Sequence, residues 1–81
     1  IMTVGEFYAW NGNIGSDNCL YYETLEYLGA DKWLCNLWGN NIGRSEKHQA
    51  SGKDLYENFT KLTEKQIDDL FQSFKDRKIS I

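Results

Sequence analysis

The apolar positions of this chain recur with a spacing close to that of an α-helix, and its polar clusters mark where the chain turns. Thr3 followed by Glu6 has capping-box spacing, with Val4, Phe7 and Tyr8 on one side of a first helix reaching Trp10. Asn11-Gly12-Asn13-Ile14-Gly15 is turn chemistry. Ser16 or Asp17 then caps a second helix to Leu28, with Gly29 in the terminating position. On that helix Leu20, Tyr21, Thr24, Leu25 and Leu28 form a broad inner face, and Cys19, Tyr22, Glu23 and Glu26 lie opposite. Asp31 caps a short third helix to Trp38, stopped at Gly39. The segment 40–52 carries Asn, Gly, Ser and charge and reads as the longest loop. Ser51 or Gly52 opens a fourth helix with Leu55, Tyr56, Phe59 and Leu62 on one face. Thr63-Glu64-Lys65-Gln66 is a second capping box, ahead of Ile67, Leu70, Phe71 and Phe74 at helical period.

The expected fold is therefore all-α, a small bundle of four to five short helices. Ile79-Ser80-Ile81 alternates like a strand and could pair with Ile1 to Val4, joining the two termini. Eighty-one residues leave no room for a second core, so residues 1–81 are expected to form a single domain. No apolar run approaches the roughly 18 residues of a membrane span, so no membrane association is expected. Ile1 precedes Met2, which suggests Met2 as the natural start. A chain beginning there without a charged-then-apolar leader points to the cytoplasm. The alternative, a mature fragment of a longer precursor, would make Cys19 and Cys35 disulfide candidates.

Charge changes the picture through its distribution. From Ile1 to Asp31 there are five acids and no Lys or Arg; from Lys32 onward nine basic residues face seven acidic ones. Such a chain lacks the clustered basic stripe that neutralises phosphates, and direct nucleic-acid binding is not expected. Catalytic candidates are few. His48 is the only histidine, in a polar segment with no nameable nucleophile or orienting partner. Two cysteines and one histidine do not make a zinc site, so neither metal nor cofactor is expected. Gly52-Lys53-Asp54 lacks the rest of a phosphate loop.

Two surfaces remain as candidates. Tyr22, Glu23, Glu26 and Tyr27 lie on the outer side of the second helix, an acidic, tyrosine-bearing face suited to a basic partner surface such as that of a nucleic-acid-binding protein. This gives the leading expectation: a small, non-enzymatic protein–protein interaction domain, a regulator or inhibitor of the kind phages and mobile elements encode. The second surface comes from an internal similarity. Residues 10–15 and 38–43 share four identities in six positions, each with a Trp, an Asn and an Ile-Gly. Both loops could solve one structural problem, with Trp closing a helix and Ile plugging the core. Alternatively Trp10, Asn11, Asn13, Trp38, Asn40 and Asn41 could present aromatic planes and amides to one sugar or peptide ligand.

Overall fold

The computed structural model describes residues 1–81 and overturns the all-α bundle: the chain is 42% strand and 25% helix. Its elements are β1 (Phe7–Trp10), β2 (Leu20–Gly29), β3 (Lys32–Gly39), β4 (Gly43–Ser51), α1 (Gly52–Asn58), β5 (Phe59–Lys61) and α2 (Glu64–Asp76). The strands form one sheet in the order β4-β3-β2-β1-β5, and every neighbouring pair is antiparallel. The second and third helices of the sequence reading are the long strands β2 and β3. The first is β1, and the polar loop is β4.

The helical period misleads because the central strands carry large side chains on both faces. In β3, Trp33 and Cys35 pack with Tyr8, Ala50 and Leu55 under α1, whereas Trp38 packs with Phe7, Leu70 and Phe74 under α2. A strand covered on two sides loses the apolar/polar alternation that identifies a half-buried one. Edge strand β4 misleads in the opposite direction. It carries Arg44, Glu46 and Lys47 exposed along its length, and charges on an edge discourage pairing with other chains.

The α2 side is built from rings. Trp38 stacks on Phe74 at 5.7 Å and meets Phe71 edge-on at 5.1 Å, and Phe71 in turn meets Phe7 edge-on at 5.6 Å. Helix α2 forms as its sequence predicts: Thr63 accepts from the Gln66 amide, and Gln66 returns a bond from its side chain to the Thr63 amide. Helix α1 begins at the predicted cap, Ser51, which accepts from the Asp54 amide, but it is shorter than the sequence suggests. Asp31 starts no helix of its own. It sits with Ala30 in the β2–β3 turn, both at positive φ, and accepts the Gly52 and Lys53 amides at the start of α1. A Cβ at position 52 would meet the Asp31 carboxylate and push it away from the Lys53 amide. The termini do not pair: Ile79 packs against the α2-side core instead.

The Thr3/Glu6 signal is real but serves another purpose. Glu6 does accept the Thr3 amide, at 2.7 Å, as a capping box would. The reciprocal acceptor is the fully buried Thr24 hydroxyl on β2, which takes the Glu6 amide and donates to the Thr3 carbonyl. With Gly5 at φ +85° the chain turns into a strand rather than a helix. Glu6 also accepts the Tyr8 hydroxyl and pairs with Lys61 on β5, so one carboxylate ties β1 to β5. Burial alone would push its pKa up. Bonds from Lys61, the Thr3 amide and Tyr8 outweigh this and hold it below the ordinary carboxylate value.

A carboxylate with a lowered pKa in the folded state stabilises the fold above its unfolded pKa, and that stability is lost as pH falls through the folded value. Glu6→Gln is therefore expected to cost about 1.5–3 kcal/mol at pH 7, the worth of hydrogen bonds to a charged group. The difference should begin to shrink near the unfolded Glu value of about 4.3 and vanish only once the pH has fallen below the lower folded value. Urea melts across this pH range check this.

Candidate functional site

The two helices cover their faces of the sheet unequally. Helix α2 runs thirteen residues, whereas α1 has seven and inserts Leu55 among Tyr8, Trp33, Cys35 and Ala50. Beyond the reach of α1 the same face continues uncovered through Trp10, Leu20, Tyr22 and Phe59. With Asp54 at the edge of α1, these residues line an open groove of about 320 Å³.

Each wall has a local cause. Trp10 ends β1, paired with Phe59 on β5, and its indole lies against the backbone of Gly12, where an added Cβ would be 2.4 Å from the ring. The following residue fixes this turn to the neighbouring strand: Asn11 donates its amide to the Asn58 carbonyl and accepts the Thr60 hydroxyl. Tyr22 sits opposite Tyr8 and Leu37 and stacks on Phe59, with centroids 5.3 Å apart and planes 25° apart. Its other flank faces His48 at 6.0 Å, and His48 is hydrogen-bonded to Glu46. Burial, followed by the nearby Cys35 and Asp54, pushes the Tyr22 hydroxyl pKa up, so Tyr22 stays a neutral phenol. Trp10 is 42% exposed, although β1 is paired on both sides, by β2 and β5.

A larger depression of about 550 Å³ lies between Thr3–Glu6 and Lys61–Glu64. Its main charged groups, Glu6 and Lys61, are engaged with each other. The aromatic groove is smaller, but its rings and the Asp54 carboxylate retain unused binding capacity. No group of three or more His, Cys, Asp or Glu side chains is placed to hold a metal ion.

The four residues Tyr22, Glu23, Glu26 and Tyr27 lie on one strand and divide by type. Tyr22 and Tyr27 face the α1 side, about 16 Å apart at the usual strand rise. Tyr27 packs on Trp33 and accepts the Asp31 amide. Glu23 faces the α2 side and accepts hydrogen bonds from Trp38 Nε1 at 2.9 Å and from the Asn36 amide at 3.0 Å. Glu26, past an irregularity in β2, is exposed and pairs with Leu34.

The two Trp/Asn/Gly loops are joined at one end of the sheet through Asp17 and Asn18. Asn40 and Asn41 both donate to the Asp17 carbonyl, Asn41 also donates to Asn18, and Asn13 bridges the Asn18 carbonyl and the Leu20 amide. Arg77 closes the junction from α2 through Asn40 and Asn41. What the loops share is a turn ending in a left-handed glycine, Gly15 and Gly43, and both isoleucines are exposed rather than plugging the core. The tryptophans part company: Trp10 opens onto the α1 side, and Trp38 is sealed under α2.

Leu20, Asp54 and Phe59 are the site residues that sequence reasoning missed. Phe59 reads as the core of a longer fourth helix, and a three-residue strand has no period from which to recognise it. Comparison of the chain with family models, curated proteins and solved structures finds no match.

Glu23 satisfies two donors on the covered side of the sheet, so its removal should act on stability. Glu23→Ala is expected to cost about 1–3 kcal/mol, the penalty for donors left unmade. Thermal melts, read alongside the position of the Trp38 indole resonance, check this.

Proposed function

We propose that this protein is a small interaction module, a regulator or inhibitor without catalysis of its own, that binds a basic partner protein through the open aromatic groove on the α1 side of its sheet. The observation that carries the reading is Trp10, 42% exposed beside the stacked Tyr22–Phe59 pair and the Asp54 carboxylate. Tryptophan and tyrosine dominate interface energetics when a partner desolvates them. A chain of net charge −3 whose groove lining holds a carboxylate and no lysine or arginine favours a partner of opposite sign. The reading keeps Tyr22 from the acidic face anticipated in the sequence and replaces the glutamates of β2 with Asp54. No helix is long and apolar enough to cross a membrane. We place the protein in the cytoplasm, where its two buried, unpaired cysteines suit a reducing environment.

The test is partner capture from the native host, quantified by calorimetry on the captured protein. Trp10→Ala is expected to weaken binding by about tenfold or more, the loss typical of an aromatic anchor. Because Trp10 is half exposed, the melting temperature should stay within about 5 °C of the parent, equivalent to about 1 kcal/mol in a domain of this size. Equal affinity of parent and Trp10→Ala for the captured protein would contradict the proposal.

A further inference from the structure

The lining of the groove is chemically narrow, with three aromatic rings, one leucine and one carboxylate. Tyr22 and Phe59 lie nearly parallel and stacked, so each spends one face on the other, and Tyr22 turns its second flank to His48. Trp10 is the ring without an aromatic partner: held against Gly12 and 42% exposed, it offers the groove a flat indole surface rather than the facing walls of a cage. The only charged lining residue is Asp54. Its Oδ1 accepts the Asn58 side-chain amide at 2.6 Å, and Oδ2 takes no hydrogen bond. At about 320 Å³ the space is at the lower limit of ligand sites, which suits a single side chain better than a larger molecule.

A flat ring surface beside a free carboxylate oxygen matches a guanidinium. That group is planar, stacks on aromatic faces and donates parallel hydrogen bonds to carboxylates. An ammonium is compact and strongly hydrated, and gains less from a flat platform than from an enclosing cage. We infer that the groove takes an arginine side chain of the partner, its guanidinium laid on the Trp10 indole and hydrogen-bonded to Asp54. This inference rests on the interaction reading above and specifies the residue that reading leaves open.

The probes are N-acetyl-arginine amide, N-acetyl-lysine amide and N-acetyl-citrulline amide, the last a planar but neutral counterpart of arginine. Each is titrated at pH 7.5 into the labelled full chain and followed by the Trp10 indole and the Tyr22 and Phe59 ring resonances. Arginine amide should shift these signals saturably, with citrulline about tenfold weaker and lysine at least about threefold weaker. Asp54→Asn, which retains the Asn58 acceptor, should weaken arginine binding by about fivefold or more. Trp10→Ala should weaken it as well, and the dispersion of the same spectra reports that each variant is folded. Equal binding of arginine and lysine, dependent on Asp54, would overturn the choice of arginine and leave the basic-partner reading standing. Equal binding of arginine and citrulline, or an unchanged Asp54→Asn, would overturn the role of the charge. If none of the three probes shifts these signals while the captured partner does, arginine recognition fails and the groove remains the interface.

Discussion

The fold depends on a single sheet being covered on both faces by helices of unequal length. Helix α2 is long enough to close its side with Leu70 and Phe74 against Phe7 and Trp38. Helix α1 is half as long and closes only the end of the sheet around Trp33, Cys35 and Ala50 with Leu55. In a chain this small there is little apolar surface beyond what the core requires. An aromatic row left partly open on one face is therefore surface that the core has not used. The groove exists because α1 ends at Asn58 and the chain returns at once to the sheet as β5.

That early stop has local support. Phe59 at the helix C-cap is already extended, and it pairs with Trp10 while its ring reaches Tyr22. Asn11 then holds both the Asn58 carbonyl and the Thr60 hydroxyl, anchoring the helix-to-strand transition beside the groove. At the other end of β1 the Glu6–Lys61 pair performs the same task for β5. The two fastenings make a three-residue edge strand sufficient. The groove rings are thus carried by the sheet, with Asp54 at the start of a short helix fixed by Ser51 and Asp31.

What could be read from the sequence follows physical lines. Helix α2 was legible because it is amphipathic and exposed on one side, and its Thr63/Gln66 box is local chemistry that tertiary context does not disturb. The Ser51 cap was legible for the same reason. Strands β2 and β3 were not, because Tyr21 and Tyr22, or Trp33 and Trp38, serve opposite faces and together mimic a helical stripe. The Thr3/Glu6 spacing gave half of its expected geometry, and the missing half came from Thr24, which no local pattern connects to it. The site was legible in fragments. Trp10 and Tyr22 stood out as surplus aromatics but belonged to different expectations, and the groove that unites them with Phe59 and Asp54 depends on strand order. The similarity of residues 10–15 and 38–43 marked a real junction between two loops while concealing that their tryptophans face opposite ways.

The central claim is this opposition: one face sealed over Trp38, the other open at Trp10. Hydrogen exchange of the indole N–H groups, followed by NMR on transfer to deuterated water, measures it directly. Trp38 Nε1, which donates to Glu23 beneath α2, should be protected for as long as the core amides of β2 and β3. The Trp10 indole should exchange within the dead time of the experiment. Equal protection of the two, or a protected Trp10 with an exchanging Trp38, would contradict the account.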